Sequence, residues 1–176
     1  MGSPGPSTVS ATAVGASFGF RRALGYVSGL VMGTAAVLLV VLAGVLGLLM
    51  SAPGVAPVLT AVSAAYIAYL AWRIATAPPL SRQDPATAVP VFGAGFALAI
   101  ANPKAYLAIS AVVAVAPEVA PLLKVATLVV MIVLVHALWL LAGVSLSQHL
   151  HDPTASRIAN VVLAVALAAS AVLAFV

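Results

Sequence analysis

The sequence predicts an all-α integral membrane protein, and three observations support that prediction. Of the 176 residues, 64% are hydrophobic and only 6% are charged, whereas soluble domains are about 45–50% apolar and about 25% charged. The mean hydropathy is +1.25. The apolar residues also occur in runs that reach the roughly 20 residues of a transmembrane helix. We therefore expect the bilayer, rather than a soluble core, to solvate this apolar surface.

Five apolar runs are long enough to cross a bilayer, and they cover residues 24–50, 55–77, 89–116, 122–147 and 158–176. Short connections that are polar or contain proline separate them, as is typical of neighbouring antiparallel helices. An earlier run, 7–20, corresponds to about 21 Å of helix, which is too short for a hydrocarbon core of about 30 Å. We predict five full transmembrane helices and an N-terminal half-helix.

The basic residues indicate an orientation in the membrane. If the five spans alternate in direction, the arginines all fall on one face: Arg21, Arg22, Arg73, Arg82 and Arg157. Loops rich in Lys and Arg are usually cytoplasmic, so we expect these loops inside the cell and the C-terminus outside. The basic residues form no stripe with interleaved aromatic residues, so no nucleic-acid partner is predicted.

The two halves of the chain resemble each other. "PGP" at 4–6 corresponds to "NPK" at 102–104, and "LAGV" occurs at both 42–45 and 141–144. Each half contains a proline-broken segment, then a long span and a shorter one. Three elements per half would place the second half upside down, as in inverted-repeat transporters. We predict one transmembrane domain of two inverted halves, 1–77 and 89–176, joined by a cytoplasmic linker at 78–88. Chance similarity in a chain rich in Ala, Val and Leu is the alternative.

The segment Asn102-Pro103-Lys104 interrupts the third apolar run near its middle. Pro103 has no amide hydrogen to donate to the carbonyl of Ala99, and asparagine followed by proline is a favoured helix start. We expect one half-helix to end here and another to begin near the bilayer midplane, with free amides and a positive dipole end. Lys104 adds a full positive charge, so the site favours an anion such as a carboxylate. A simple proline kink is the alternative.

The segment Pro4-Gly5-Pro6 offers the same chemistry in the first half, because glycine can cap a helix and proline can begin one. Two half-helix N-termini would then face each other. A carbonyl freed by the break, such as that of Ala99, could accept an ammonium group. A zwitterionic amino acid fits both features, so we predict an amino-acid substrate.

Two residues elsewhere are candidates for the transport pathway. His136 lies in the middle of the fourth span, where an imidazole can relay protons near neutral pH. A neutral packing histidine is the alternative. Tyr66 is the deepest residue of an aromatic group that leads to Arg73. It can reach the pathway, although an interfacial anchor is the alternative.

Other functions have weaker support from the same residues. A metal or other inorganic-ion exporter needs clustered carboxylates, thiolates or imidazoles. The three acidic residues lie in predicted loops, and there are no cysteines. An intramembrane hydrolase needs a nucleophile beside a base, and no nucleophile-elbow pattern surrounds Ser110. In a scaffold without transport, the proline breaks would serve only packing. No catalytic residue, resident metal or prosthetic cofactor is predicted.

Four stretches are similar to the LysE/RhtB family of amino-acid exporters: "PGPSTV", "AAYIAYLAWR", "NPKAYL" and "RIANVVLAVAL". Their order and spacing match over essentially the whole chain. The resemblance implies proton-driven export of amino acids or close analogues across the bacterial inner membrane. It also implies that the family motifs contain Pro4, Gly5 and Pro6, then Tyr66 and Tyr69, then Asn102, Pro103 and Lys104.

Members of that family usually carry an apolar run before the Pro-Gly-Pro motif, and here only residues 1–3 precede it. We therefore expect an incomplete first membrane element, which leaves room for homo-oligomerisation alongside contact with membrane lipid.

Overall fold

The computed structural model describes residues 2, 4–44, 55–76, 89–115, 119–148 and 152–175, and all regular secondary structure within those ranges is helical. The all-α prediction is therefore confirmed for these ranges. Within these described ranges six helices follow one another: α1 (Pro6–Leu42), α2 (Val55–Ala75), α3 (Phe92–Ala101), α4 (Pro103–Val115), α5 (Pro121–Gln148) and α6 (Pro153–Phe175).

Proline occupies the first position of four of these helices: Pro6, Pro103, Pro121 and Pro153. The first amide of a helix has no partner within the helix, so proline loses nothing there, and its fixed φ suits the helix. At α6, a carboxylate oxygen of Asp152 accepts the backbone N–H of Ala155 at 3.0 Å. This cap explains why α6 begins at Pro153, earlier than the start predicted at residue 158.

Helix α1 contains a sharp interruption at Gly19, whose φ of 73° and ψ of 171° are not helical. Only glycine adopts a positive φ without steric cost. The kink divides a short N-terminal part of α1 from a longer second part, and it lies inside the predicted run 7–20. At the other end, Ala43 caps α1 and Gly44 has a φ of 70°. Helix α1 thus ends at Leu42, and the last part of the predicted run 24–50, residues 45–50, lies outside the described residues.

Helices α1 and α5 are each long and apolar enough to span a membrane, among the residues described. Helices α3 and α4 make a third candidate span if they are counted together, bent by 61° at their junction. The predicted break at Asn102 and Pro103 is therefore present. The segment Thr154–Ala169 is a shorter apolar helix. Together these lengths fit a helical membrane protein.

Helix α1 is the central packing element, and its most extensive contacts are with α5 and α3. Against α3, the backbones approach closely where glycines of α1 have no side chain to keep them apart. A Cβ added at Gly29 would lie 2.9 Å from the backbone nitrogen of Phe96, and one added at Gly33 would lie 2.7 Å from the Cβ of Ala99. The Gly29–Gly33 pair is a GxxxG pattern, which permits close approach of membrane helices.

Hydroxyl groups also connect α1 to its other neighbours. The Oγ1 of Thr12 donates to the backbone oxygen of Trp139 on α5 at 2.9 Å. The Oγ of Ser17 donates to Oδ1 of Asn160 on α6 at 3.0 Å, and both residues are buried. Such interhelical hydrogen bonds are a common stabilising feature of membrane bundles.

We expect Gly29→Ala to lower the thermal stability of the protein in detergent by about 1–3 kcal/mol, the usual range for overpacking. The reason is that the new methyl group would meet the backbone of α3, which cannot rotate away. Gly25→Ala, one turn earlier on α1, meets nothing within 4 Å and serves as the matched control. Equal melting temperatures for the two variants would contradict the close contact.

Candidate functional site

Asn102 is the residue at which α3 ends and α4 begins. Its φ of −84° and ψ of 103° are extended, and its N–H donates to the carbonyl of Ala99 at 3.3 Å. Its side-chain oxygen accepts the N–H of Lys104 at 3.2 Å, and its own carbonyl accepts the N–H of Ala105 at 3.0 Å. One residue thus caps both half-helices, as asparagine does at helix starts.

The side-chain amide of Asn102 also reaches the first turn of α1. Its Nδ2 donates to the Oγ of Ser7 at 2.8 Å. Both side chains are 5% exposed. The break between α3 and α4 is therefore hydrogen-bonded to the start of α1, although 95 positions separate the two residues in the chain.

The start of α1 lies against the side chain of Lys104. The ammonium group of Lys104 donates to the carbonyl of Pro4. A Cβ added at Gly5 would lie 2.8 Å from Cδ of Lys104, so the missing side chain of Gly5 makes room for the lysine. The N–H of Gly5 donates to Oγ1 of Thr8 at 2.9 Å. The Pro-Gly-Pro and Asn-Pro-Lys segments therefore meet directly.

These segments border a cavity of about 50 Å³ between α1, α4 and α5, enough for a few water molecules. Its polar lining comprises Ser7, Thr8, Thr34, Asn102, Lys104 and His136. Its apolar lining comprises Ala105, Ala108, Met131, Ile132 and Val135, and Gly5 completes it. Among these described lining residues, Lys104 and His136 are basic and none is acidic, so the lining favours a negatively charged group.

His136 lines this cavity, and one of its ring nitrogens has no partner among the described residues. Its Nδ1 lies 2.8 Å from the carbonyl oxygen of Ile132. A carbonyl oxygen only accepts, so Nδ1 carries the hydrogen and donates it. The other nitrogen, Nε2, is buried and has no hydrogen-bond partner within the described parts of the chain. The side chain as a whole is 4% exposed.

The structure brings together most of the residues that the sequence singles out. Gly5, Lys104, Asn102 and His136 line one cavity; Pro4 is bonded to Lys104, and Pro6 and Pro103 open the adjoining helices. Tyr66 lies on α2, and its side chain falls outside the described part. One detail differs from expectation. The N–H of Lys104 is not free, because Asn102 caps it.

Three residues at the site were not identified from the sequence: Ser7, Thr8 and Thr34. Serine and threonine are common in membrane helices, where their hydroxyls bond the preceding turn. The Oγ1 of Thr34 does so here, donating to the carbonyl of Leu30 at 2.8 Å. Their residue types therefore do not mark them as site residues in the sequence, although Ser7 and Thr8 directly follow the Pro-Gly-Pro segment.

Comparison with known proteins gives a family match over the whole chain. Residues 1–176 match the LysE type translocator family. The cysteine/O-acetylserine efflux proteins of Escherichia coli K12 and Shigella flexneri are each 35% identical to this chain over 105 residues. That of Escherichia coli O1:K1 is 34% identical over the same length.

Each alignment covers 59% of this chain and 53% of the relative. The chain thus spans about half the length of the curated relatives it matches. No solved structure matches it.

We expect Asn102→Ala to lower the unfolding free energy by about 1–3 kcal/mol, because it removes both a helix cap and a buried hydrogen bond. Asn102→Ser keeps a capping oxygen but is too short to reach Ser7, so its loss should be smaller. Thermal denaturation in detergent measures both. Ser10→Ala is the control, since Ser10 is buried on α1 and, among the described residues, its hydroxyl bonds only to the carbonyl of Ser7 in its own helix. If Asn102→Ala is as stable as Ser10→Ala, the cap does not stabilise the break.

Proposed function

Because this chain belongs to the LysE type translocator family, we propose that it exports a small amino acid or a close analogue across the bacterial inner membrane. The observation that carries the proposal is the cavity where the starts of α1 and α4 meet Lys104 and His136. Ionisable residues inside membrane segments are costly and usually mark a substrate or ion pathway.

The substrate carboxylate binds at Lys104. An ammonium group has three N–H donors. Among the described contacts, one of these donors is used, in the hydrogen bond to the carbonyl of Pro4. The positive end of the α1 dipole lies beside it and favours the same negative charge. Because Asn102 occupies the N–H of Lys104, the lysine side chain rather than this amide supplies the contact.

The lining favours a small, uncharged substrate side chain. Ala105, Ala108 and Val135 offer apolar surface next to the polar groups. No acidic side chain is among the described lining residues, so a cationic substrate side chain would have no ionic partner there. The relatives named as cysteine/O-acetylserine efflux proteins make cysteine and O-acetylserine the first substrates to test.

The proposed architecture is five full transmembrane helices and an N-terminal half-helix in two inverted halves, 1–77 and 89–176, with a linker at 78–88. Two features support it. The interruption at Gly19 divides α1 into a short and a long part, in the same order as α4 and α5. Helix α1 also packs against α5, and α2 packs against α6, as elements related by a two-fold axis would. Rocking of the halves about the cavity would give alternating access.

The proposed energy source is the proton gradient, with His136 as the proton carrier. Its Nε2 is the buried nitrogen left without a partner in the described residues. An imidazole can gain and lose a proton near neutral pH. A proton entering as the amino acid leaves would drive export.

We expect Lys104→Met to reduce substrate affinity by roughly 10- to 150-fold, because a hydrogen bond to a charged group contributes about 1.5–3 kcal/mol. Methionine retains much of the apolar stem but no charge. Lys104→Arg should recover part of the loss, since a planar guanidinium does not reproduce a compact ammonium. Proton-dependent accumulation of cysteine in everted vesicles, at matched levels of inserted protein, measures this. If Lys104→Met transports cysteine as the wild type does, Lys104 does not bind the substrate.

We expect Arg21, Arg82 and Arg157 on the cytoplasmic face and Val176 outside the cell, because positively charged loops are retained inside. Reporter fusions after each proposed span test this, with an alkaline phosphatase domain active outside and a fluorescent protein inside. A C-terminal fusion reporting the cytoplasm would be incompatible with five spans starting from the inside.

A further inference from the structure

The unpartnered Nε2 of His136 identifies a second polar position beside the cavity, distinct from Lys104. The nitrogen is buried, and the residue is one of those lining the cavity. Buried polar atoms almost always have a hydrogen-bond partner, and an exception calls for a ligand, a water or a functional role. The contact of Nδ1 with Ile132 fixes the tautomer, so Nε2 of the neutral ring is an acceptor.

Thr34 supplies a further acceptor to the same cavity. Its hydroxyl hydrogen is directed to the carbonyl of Leu30 at 2.8 Å, which leaves lone pairs on Oγ1. The residue is 4% exposed and lines the cavity with His136. The carbonyl of Ala99, which the sequence suggested for this role, already accepts the N–H of Asn102.

We propose that Nε2 of His136, together with Oγ1 of Thr34, accepts hydrogen bonds from the ammonium group of the substrate. This inference rests on the proposed function and adds the means of recognising the amino group. Lys104 can only donate, so it serves the carboxylate and cannot serve the ammonium. The described lining contains no carboxylate. The side-chain oxygens of Ser7, Thr8 and Asn102 each already accept a hydrogen bond, whereas Nε2 of His136 has no partner among the described residues.

In the same arrangement, the substrate ammonium group and a proton compete for Nε2 of His136. A proton on Nε2 turns the acceptor into a donor and places a positive charge where the ammonium would bind. On the helices packed around His136, Lys104 lines the same cavity and Tyr106 packs on the cluster that contains Ile132. Binding of the amino acid therefore requires neutral His136, and protonation releases it.

The test compares L-cysteine with 3-sulfanylpropanoate, which has hydrogen in place of the ammonium group. Equilibrium binding of each labelled compound is measured on the purified full chain. Wild type should bind cysteine at least about 10-fold more tightly, the lower limit for a hydrogen bond to a charged group. His136→Phe keeps the ring shape and should lose most of this preference.

Two further variants separate recognition from packing. His136→Gln retains an acceptor oxygen, so part of the preference should remain, but its affinity for cysteine should no longer fall as the pH is lowered from 8 to 5.5. Thr34→Val keeps the side-chain shape but lacks the acceptor, so it should reduce the preference for cysteine. If His136→Phe fails to fold, this variant tests the subsite in its place. Ser28→Ala removes an exposed hydroxyl of α1 that bonds only to Gly25 and should leave the preference intact.

The outcomes distinguish the two proposals. If wild type does not bind L-cysteine, the proposed substrate is wrong and this subsite falls with it. If wild type binds cysteine and folded His136→Phe keeps the full preference for cysteine over 3-sulfanylpropanoate, the subsite is overturned while the exporter proposal stands. Where His136→Phe does not fold, an unchanged preference in Thr34→Val has the same meaning. Loss of the preference with retained binding of 3-sulfanylpropanoate supports the subsite.

Discussion

A helix that ends inside a membrane leaves backbone N–H and C=O groups to which lipid offers no hydrogen bonds. At the break between α3 and α4, the cap at Asn102 supplies hydrogen bonds in their place. Each unsatisfied group at that depth costs several kcal/mol, so a break persists only where protein replaces the lost partners. Asn102 bonds the carbonyl of Ala99, the N–H of Lys104 and the hydroxyl of Ser7. The remaining features of the site depend on this arrangement, because it holds Lys104 within the protein and against the start of α1.

Close packing around α1 keeps the break away from lipid. The glycine contacts of α1 with α3 bring the two backbones together, and the hydrogen bond between Asn102 and Ser7 connects the start of α1 to the end of α3. Gly5 then leaves space for the lysine stem. A larger residue at Gly29 or Gly33 would push α1 away from α3, and one at Gly5 would displace the side chain of Lys104. The glycines of α1 thus allow the close packing in which Asn102 and Lys104 reach the start of α1.

The proposed site has two chemically different parts, and the proposed zwitterionic substrate matches both. Lys104 and the start of α1 provide donors and positive charge, while the imidazole of His136 and the hydroxyl of Thr34 provide acceptors. The apolar lining between α4 and α5 suits a small side chain. Since one of the acceptors can itself take up a proton, substrate recognition and energy coupling can share one nitrogen in the proposed mechanism.

The sequence by itself determined the helical membrane class and the break at Asn102-Pro103, and it singled out Lys104 as a candidate site residue, because charge and proline are rare and costly in an apolar run. It did not identify Ser7 or Thr34, whose hydroxyls are inexpensive in any membrane helix and carry no distinctive pattern. Only the tertiary structure decided that Ser7 bonds Asn102, that Lys104 reaches Pro4 and that His136 faces the same cavity. These contacts join residues far apart in the chain, so they depend on how α1 packs against α3, α4 and α5. Local hydrophobic patterns encode which segments are helical, but not which faces of those helices meet.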